Sequence, residues 1–266
     1  MSILLRRQSL IDHQERGISA YSWRIKMIYC ISDIHGCYDE FVALLNQIGF
    51  SSEDTLYILG DVVDRGKDSI KALKYIMQTK NIHMLMGNHE YMMIEAMKER
   101  KRKVLDFFSD EPMELWIYNG GDKTLNEFEK CSKTQQKEIL EYIKGLPYIF
   151  KLQVNDKNFI LVHAGLRVSN QDSGYLSTEE ILAKQTPDDM LWIRDKFFTK
   201  QGLPEHVTIF GHTQLWNIDR NYKPGEGLWR DKKYNDKIGI DGGCAYGGGL
   251  YALCLDNMKE YFIEKR

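Results

Sequence analysis

The sequence predicts an α+β fold built on mixed β-sheets, and two observations lead to this prediction. From Met27 onward, short apolar runs alternate with segments of helical periodicity. This β-α-β-α-β rhythm indicates parallel strands joined by right-handed crossovers. After residue 145 the pattern changes to paired apolar runs around turn residues, which predicts antiparallel hairpins. A chain of 266 residues, 43% of them apolar, can bury the core that such a fold requires.

The first half contains three predicted strands. Helix-spaced apolar residues follow the first two strands, at 41–48 and 70–77. Residues 91–145 are predicted to be mostly helical, with a break at YNGGDKT. Because the carboxyl ends of parallel strands meet at one edge of a sheet, the loops after these strands should lie together. The strands are MIYCISDI from Met27, TLYILGDVV from Thr55 and IHMLMG from Ile82.

The second half is predicted to consist mainly of strands. YIFKLQV and NFILVHAG form a predicted hairpin around the turn NDK. VTIFGHT and KIGIDGG are two further strands. LYALCLDNMKEYFIEK is a predicted closing hairpin with its turn at Asp256-Asn257.

Composition excludes several classes of protein. A formal net charge of -2 argues against a nucleic-acid or acidic-membrane surface, and no apolar run approaches the roughly 20 residues of a membrane helix. The basic run Lys98 to Lys103 is interpreted as a solvated helix face. Five cysteines without Cys-x-x-Cys spacing argue against a disulfide framework or a thiolate zinc site, so a cytoplasmic location is expected. We interpret residues 1–26 as a polar, poorly ordered N-terminal extension without a signal peptide.

Polar side chains cluster directly after five of the strand-like runs. Singly, each cluster has an ordinary structural explanation, because Gly-Asp and Gly-Asn are common turn dipeptides. Together, so many ionisable groups buried at one edge without partners would be very costly. The clusters are SDIHG with Asp33 and His35, GDVVDRG with Asp61, Asp64 and Arg65, GNHE with Asn88, His89 and Glu90, VHAG with His163, and FGHT with His212.

A pair of divalent cations would stabilise such a set of side chains. Imidazole, carboxylate and amide oxygen together suit Mn²⁺, Fe or Zn²⁺. Two such ions lower the pKa of a bridging water toward roughly 7 and make it a nucleophile for in-line attack on phosphorus. Arg65 and a second arginine would then hold the phosphoryl oxygens.

The first three motifs resemble the signature of the phosphoprotein phosphatase (PPP) family of calcineurin-like metallophosphoesterases. They are Asp-x-His-Gly, Gly-Asp-x-Val-Asp-Arg-Gly and Gly-Asn-His-Glu, with 28 residues from Asp33 to Asp61 and 27 from Asp61 to Asn88. VHAG and FGHT resemble the segments with the family's remaining metal histidines. NGGDKTLNEF, LWIR and GIDGGCAYGGGLYAL are similar to segments of the bacterial and phage lambda serine/threonine phosphatases.

This resemblance implies a four-layer α/β/β/α sandwich with two mixed β-sheets. Residues 27–266 would form a single metallophosphoesterase catalytic domain. We expect the helices after the early strands to cover one sheet and the antiparallel second half to supply the other. We also expect residues 91–145 and 166–190 to border the cleft and to set substrate choice.

The resemblance also implies a role for each matching residue. Asp61 would bridge the two metals, which we expect to be Mn²⁺, with Fe or Zn²⁺ as alternatives. His89 would be the general acid, and Asp64 would orient its imidazole and keep it cationic. Arg65, Arg194 and Asn88 would bind the substrate phosphate, and Glu90 would be structural. The implied metal ligands are Asp33, His35 and Asp61 for the first ion, and Asp61, Asn88, His163 and His212 for the second.

Two substrate classes remain open. Asp64 favours a serine/threonine phosphoprotein phosphatase, because similar symmetrical bis(5'-nucleosyl)-tetraphosphatases often have Ala at that position. The tetraphosphatase activity is the alternative, and the partner is accordingly a phosphoprotein or a nucleotide. No eukaryotic-type regulatory subunit is expected, since Gly242 to Gly249 replace the Ser-Ala-Pro-Asn-Tyr stretch of eukaryotic members.

Two further classes are disfavoured. A non-catalytic binding protein on the same fold would be expected to lack a ligand or the acid, and all of these positions are present. Redox or thiol chemistry at Cys30 and Cys37 is disfavoured, because Cys30 alternates within an apolar strand and is typical of a small core residue.

Overall fold

The computed structural model describes residues 25–102, 111–169 and 175–266. Apart from Ile25 and Lys26, the predicted N-terminal extension lies outside these ranges. Residues 103–110 of the predicted helical segment 91–145, which include Lys103 of the basic run, and residues 170–174 of the predicted cleft border lie outside them as well. Lys98 and Arg100 of that run are exposed, as the sequence predicts.

The described strands form two five-stranded sheets. The first sheet has the order β10-β9-β1-β2-β3 and the second has the order β4-β5-β6-β8-β7. In chain order, the strands are β1 (Ile28–Ile31), β2 (Thr55–Ile58), β3 (Ile82–Met84), β4 (Ile149–Val154), β5 (Lys157–Val162), β6 (His206–Phe210), β7 (Trp229–Arg230), β8 (Lys237–Gly239), β9 (Gly249–Cys254) and β10 (Glu260–Glu264).

Strands β1, β2 and β3 are parallel, which confirms the prediction for the first half. Ile28 pairs with Thr55, and Leu56 pairs with Ile82. The hairpin predicted around NDK is also confirmed, as β4 and β5. The closing hairpin is confirmed as β9 and β10.

The expectation that the antiparallel half supplies the second sheet is wrong in two respects. Hairpin β9–β10 joins the first sheet, where β9 pairs with β1. The centre of the second sheet is parallel, because β6 pairs in parallel with both β5 and β8. The residues of β9 are all buried, and such near-continuous apolar runs are typical of central strands with both faces covered.

Helices cover the outer faces of both sheets. A π-helical turn (Ile117–Gly121) joins α4 to α5, and a 3₁₀ turn (Cys244–Tyr246) precedes β9. None of the described helices is long and apolar enough to cross a membrane. The helices are α1 (Tyr38–Ile48), α2 (Ser69–Gln78), α3 (Asn88–Arg102), α4 (Glu111–Trp116), α5 (Asp122–Glu129), α6 (Lys133–Lys144), α7 (Thr178–Ala183), α8 (Pro187–Trp192), α9 (Asp195–Phe198) and α10 (Leu215–Ile218).

Three apolar clusters hold the layers together. Cys30 and Leu59 of the first sheet contact the cluster of Phe159 and Ile209 of the second, so the sheets pack face to face. A larger cluster lies between the first sheet and helices α1, α2, α3 and α6, and a third lies between the second sheet and helices α7 to α9. The predicted α/β/β/α sandwich is thereby confirmed. The packing places the loops after strands of both sheets at one edge of the sandwich.

Candidate active site

The loops that follow β1, β2 and β6 have an unusual backbone. Six residues there have φ between 45° and 74°, which is uncommon for residues other than glycine. Such conformations concentrate at functional sites, because the surrounding structure must hold them against a cost of about 1–3 kcal/mol each. Backbone hydrogen bonds join the first two loops: Asp33 N–H donates to Gly60 O and His35 N–H to Asp61 O. The six residues are Asp33, His35, Asp61, Asp64, Arg65 and His212.

Glu90 shapes the loop after β2. One oxygen of its buried carboxylate accepts the backbone N–H groups of Asp61 (2.8 Å) and Gly87 (3.1 Å). The other accepts those of Val62 (2.9 Å) and Val63 (3.1 Å). Burial raises the pKa of Glu90 to about 7, while the N–H groups favour the carboxylate. These four contacts hold the loop in place, which is the structural role that the family resemblance implies for Glu90.

The first group of potential metal ligands contains two carboxylates and an imidazole. His35 Nε2 lies 3.4 Å from Asp61 Oδ2 and 4.0 Å from Asp33 Oδ1. The other ring nitrogen, Nδ1, lies 2.9 Å from the carbonyl oxygen of Val63, which directs Nε2 toward the carboxylates. The Arg65 guanidinium contacts the same Nε2 atom.

The second group is centred on Asn88. Its Oδ1 atom lies 2.9 Å from both His163 Nε2 and His212 Nδ1. Asp61 Oδ1 lies 3.5 Å from His163 Nε2, so the Asp61 carboxylate stands between the two groups. His163 Nδ1 lies 2.7 Å from the carbonyl oxygen of Leu59, which fixes the ring. Buried His212 Nε2 has no hydrogen-bond partner in the described part of the chain.

The electrostatics of these groups suit a bound cation. Burial lowers the pKa values of His35, His163 and His212, and this favours the neutral imidazole that binds metals. Burial and the neighbouring Asp33 carboxylate raise the pKa of Asp61 well above its usual range. A divalent cation would relieve this repulsion and satisfy His212 Nε2. The nitrogen and oxygen donors fit divalent metal ions of the Mn²⁺, Fe or Zn²⁺ type.

Asp241 is a further buried carboxyl group that the sequence reasoning missed. One oxygen accepts the N–H of Gly243 at 2.8 Å, and the other has no partner among the described residues. Burial and the nearby Asp33 charge raise the pKa of Asp241. An acid directly after a buried strand was the available signal, because Asp33 and Asp61 occupy equivalent positions after β1 and β2.

His89 forms a buried pair with Asp64. Its Nδ1 atom lies 2.6 Å from Asp64 Oδ2, and Nε2 points toward Asp61, 3.9 Å from Oδ2. Trp116, which the sequence reasoning also missed, donates its indole N–H to the same Asp64 oxygen at 2.9 Å. Burial raises the pKa of Asp64 to about 7. Burial and the Arg65 charge lower the pKa of His89, and the expectation that Asp64 keeps its imidazole cationic stays a prediction.

The two arginines predicted to bind phosphate lie at the border of the site. The guanidinium carbon of Arg65 lies 5.1 Å from the centre of the Tyr246 ring. Arg194 donates to Thr213 Oγ1 at 3.0 Å and lies against the carbonyl oxygen of His212 at 3.4 Å. Both positive charges contribute to the lowered pKa of His212. Their charges therefore reach the second group of potential metal ligands, to which His212 belongs.

An apolar groove of about 810 Å³ adjoins the site. Tyr91 and Met92 follow directly after Glu90, and the Trp192 ring centre lies 6.2 Å from that of His212. Part of the segment 91–145 therefore borders the cleft, whereas no described residue of 166–190 lines this groove. The other lining residues are Glu95, Glu111, Pro112, Glu114, Leu115 and Tyr118.

The sequence also resembles known proteins. The family model described as calcineurin-like phosphoesterase matches residues 26–252. Serine/threonine-protein phosphatase 2 of Salmonella typhimurium is 30% identical over 193 residues, covering 70% of this chain and 78% of that protein. The symmetrical bis(5'-nucleosyl)-tetraphosphatase of Wigglesworthia glossinidia brevipalpis is 27% identical over 290 residues, covering 90% and 99%. A solved serine/threonine phosphatase from Saccharomyces cerevisiae has the same fold, with a TM-score of 0.54 at 15% identity over 92% of this chain and 82% of that one.

Proposed function

We propose that this chain, which belongs to the calcineurin-like phosphoesterase family, hydrolyses phosphomonoesters of serine and threonine in proteins. It would do so with two divalent cations, and we propose Mn²⁺ for both. Bound there, the ions would supply the Lewis acidity that activates water and neutralises phosphoryl charge. The proposed ligands are Asp33, His35 and Asp61 for one ion, and Asp61, Asn88, His163 and His212 for the other.

The pairing of His89 with Asp64 is the observation that carries the choice of substrate. The hydrogen bond at 2.6 Å orients the imidazole so that Nε2 faces the Asp61 carboxylate between the ligand groups. A proton on Nε2 would pass to the oxygen that leaves phosphorus. A serine or threonine alkoxide is a strong base and requires that proton, whereas the terminal phosphate of a leaving nucleotide is a weak base and does not.

The remaining polar groups would position the phosphoryl group. Arg65 and Arg194 would each donate to its nonbridging oxygens, because the planar guanidinium matches their geometry. The Asn88 amide would add a further donor. In this proposal the Tyr246 ring, whose centre lies 5.1 Å from the Arg65 guanidinium carbon, restricts the conformations of the Arg65 side chain.

The charge of the groove supports a protein substrate. Glu95, Glu111 and Glu114 line it together with apolar side chains. Such a surface suits apolar or basic residues that flank a phosphoserine. The same carboxylates would repel the additional negative charges of a tetraphosphate chain.

Hydrolysis of dinucleoside tetraphosphates is the second candidate. The similarity to the Wigglesworthia tetraphosphatase extends over 99% of that protein, and this favours the alternative. Tyr118 and Trp192 of the groove are both exposed, and aromatic rings of this kind stack on nucleobases.

Both candidates are tested by comparing kcat/KM of the Mn²⁺-loaded protein on a phosphoserine protein and on diadenosine tetraphosphate. We expect faster turnover of the phosphoprotein. In His89→Asn, we expect a loss of about 10²- to 10⁴-fold on phosphoserine, and a much smaller loss on p-nitrophenyl phosphate, whose leaving group needs no proton.

His83→Asn is the matched control, because His83 is an exposed histidine on β3 and should leave both rates unchanged. Turnover of diadenosine tetraphosphate that is faster by about a hundredfold would move the assignment to nucleotides. Equal losses on phosphoserine and p-nitrophenyl phosphate in His89→Asn would contradict the role given to His89.

A further inference from the structure

Cys37 and Cys244 form a thiol pair that joins two distant parts of the chain. Cys37 lies directly before α1, and Cys244 begins the 3₁₀ turn before β9. Their sulfur atoms and a carboxylate oxygen of Glu40 all lie within 4.8 Å of one another. Both cysteines are buried and neither is in a disulfide.

The surroundings of the pair argue against a cation site. Lys265 Nζ donates to Glu40 Oε1 at 2.9 Å, and the backbone N–H of Arg266 approaches the same oxygen at 3.4 Å. The carboxylate charge is therefore already matched by an ammonium group, which would repel a metal ion placed between the sulfurs. The reactive feature of this group is therefore the short distance between the two thiols.

The pair is connected directly to the candidate active site. Cys37 follows the metal-ligand candidate His35 by two residues, and its N–H donates to Ile34 O at 2.9 Å within the same loop. Tyr246, at the other end of the turn begun by Cys244, places its ring beside Arg65. A bond between the two sulfurs would therefore tie the loop of His35 to the turn that supports Arg65.

We propose that Cys37 and Cys244 form a reversible disulfide that switches off this chain's phosphoesterase activity when peroxide is present. The regulatory part of this inference rests on the proposed function. One sulfur attacks a peroxide oxygen, the O–O bond breaks, and a sulfenic acid and water form. The second sulfur then attacks the first and displaces its hydroxyl as water. Two thiols and one hydrogen peroxide thus give one disulfide and two waters, and a dithiol reductant reverses the bond by exchange.

Among the described residues, none of the other three cysteines belongs to a group of three or more thiols and carboxylates that lie within 4.8 Å of one another. Cys30 Sγ donates to Leu253 O, and burial raises the pKa of this thiol. Cys254 Sγ faces Asp256. Cys131 is the more accessible thiol, and Lys74 Nζ donates to its sulfur at 3.2 Å. Cys131 therefore serves as the control: its oxidation should proceed without affecting the candidate active site.

The test is oxidation of the 266-residue, Mn²⁺-loaded protein with graded hydrogen peroxide, stopped with catalase. We expect the Cys37–Cys244 cross-linked peptide in non-reducing mass spectrometry, and a loss of p-nitrophenyl phosphate turnover of at least about tenfold that dithiothreitol restores. Cys244→Ala should resist this loss, and Cys131→Ala should lose activity as the wild type does. If Cys244→Ala does not fold, Cys37→Ala provides the same test.

The readouts separate the two proposals. Turnover of the reduced protein before oxidation tests the proposed function, and the cross-linked peptide tests the thiol pair whether or not turnover is found. Absence of the cross-link at peroxide concentrations that oxidise Cys131 would overturn the inference. Equal inactivation of wild type and Cys244→Ala would also overturn it, because the loss would then arise elsewhere, for example at the metals.

Discussion

Asp64 is an ionisable residue whose buried environment disfavours the charged carboxylate form. Its side chain has no exposed surface, and it receives a hydrogen bond from the Trp116 indole. Burial raises its pKa to about 7, whereas an unfolded chain has an aspartate pKa of about 3.9. Between these two values the metal-free native protein binds a proton at Asp64 that the unfolded chain does not bind.

This difference makes the stability of the metal-free protein depend on pH. Because the native-state pKa is raised, the proton stabilises the native state fully below about pH 4, and the effect is lost as pH rises through about 7. From pH 5 to pH 8, we predict that the free energy of unfolding falls by about 2.5 kcal/mol more in the wild type than in Asp64→Asn. Urea unfolding with EDTA at the two pH values measures this difference.

A matched control for this experiment is Asp156→Asn, at an exposed turn between β4 and β5. It should keep the pH dependence of the wild type. An Asp64→Asn variant with the full wild-type pH dependence would show that another group binds the proton.

Sequence motifs identified the polar residues that repeat at strand ends, but not the buried residues that contact them. Asp33, Asp61, His89 and Asn88 stand in spaced motifs with few chemical interpretations, and the structure brings them together. Trp116 stands in a helix without a distinctive pattern, and only the folded chain places its N–H against Asp64.

The π-helical turn Ile117–Gly121 connects the helical segment to the site. Gly120 has a φ of 97°, and its carbonyl oxygen accepts the N–H of Arg65 at 3.0 Å. Gly121 lies so close to the Trp116 indole that a side-chain carbon at this position would clash with the ring. The turn thus holds two residues of the site, one through a hydrogen bond and one through close packing.

Gly121→Ala should displace the indole from Asp64. An added Cβ would lie 2.5 Å from Trp116 Nε1 and 2.6 Å from Cε2, closer than atoms pack. We predict a destabilisation of about 1–3 kcal/mol, which thermal unfolding measures. We also predict a fall of about tenfold in kcat on phosphoserine, as expected for the loss of one hydrogen bond.

Gly145→Ala is the control for this substitution. Its Cβ would meet only Tyr142 O at 3.5 Å and Glu141 O at 3.6 Å, which are ordinary contacts. It should retain the wild-type kcat. An unchanged kcat in Gly121→Ala would show that the indole does not contribute to the function of the His89–Asp64 pair.

The local sequence pattern predicts where helices and strands occur, but not how strands pair in the sheets. The break at YNGGDKT was expected, because two glycines disfavour a continuous helix. The pattern of β9 predicts a strand correctly, but it carries no information on which partner the strand takes. Pairing of β9 with β1 depends on contacts between residues more than 200 positions apart, such as Tyr29 with Cys254.

In the whole molecule, the site exists only because the two sheets meet. The loops after β1, β2 and β3 supply Asp33, Asp61 and Asn88 from the first sheet, and those after β5 and β6 supply His163 and His212 from the second. The rule that parallel strands gather their carboxyl ends predicts the first three from sequence. The polar clusters after β5 and β6 also indicated His163 and His212, but their assignment to one metal site came from the family resemblance, because nothing local to β5 or β6 indicates how the sheets pack. The same limit hid the approach of Cys244 to Cys37.

The proposal that two cations share Asp61 is tested most directly by electron paramagnetic resonance of the Mn²⁺-loaded protein, with metal content measured alongside. We predict two Mn²⁺ ions per chain with an exchange-coupled spectrum, because one carboxylate would bridge them. Asp61→Asn should lose the coupling and retain at most one tightly bound ion. A single ion in the wild type, two uncoupled ions, or coupling that persists in Asp61→Asn would contradict the shared site.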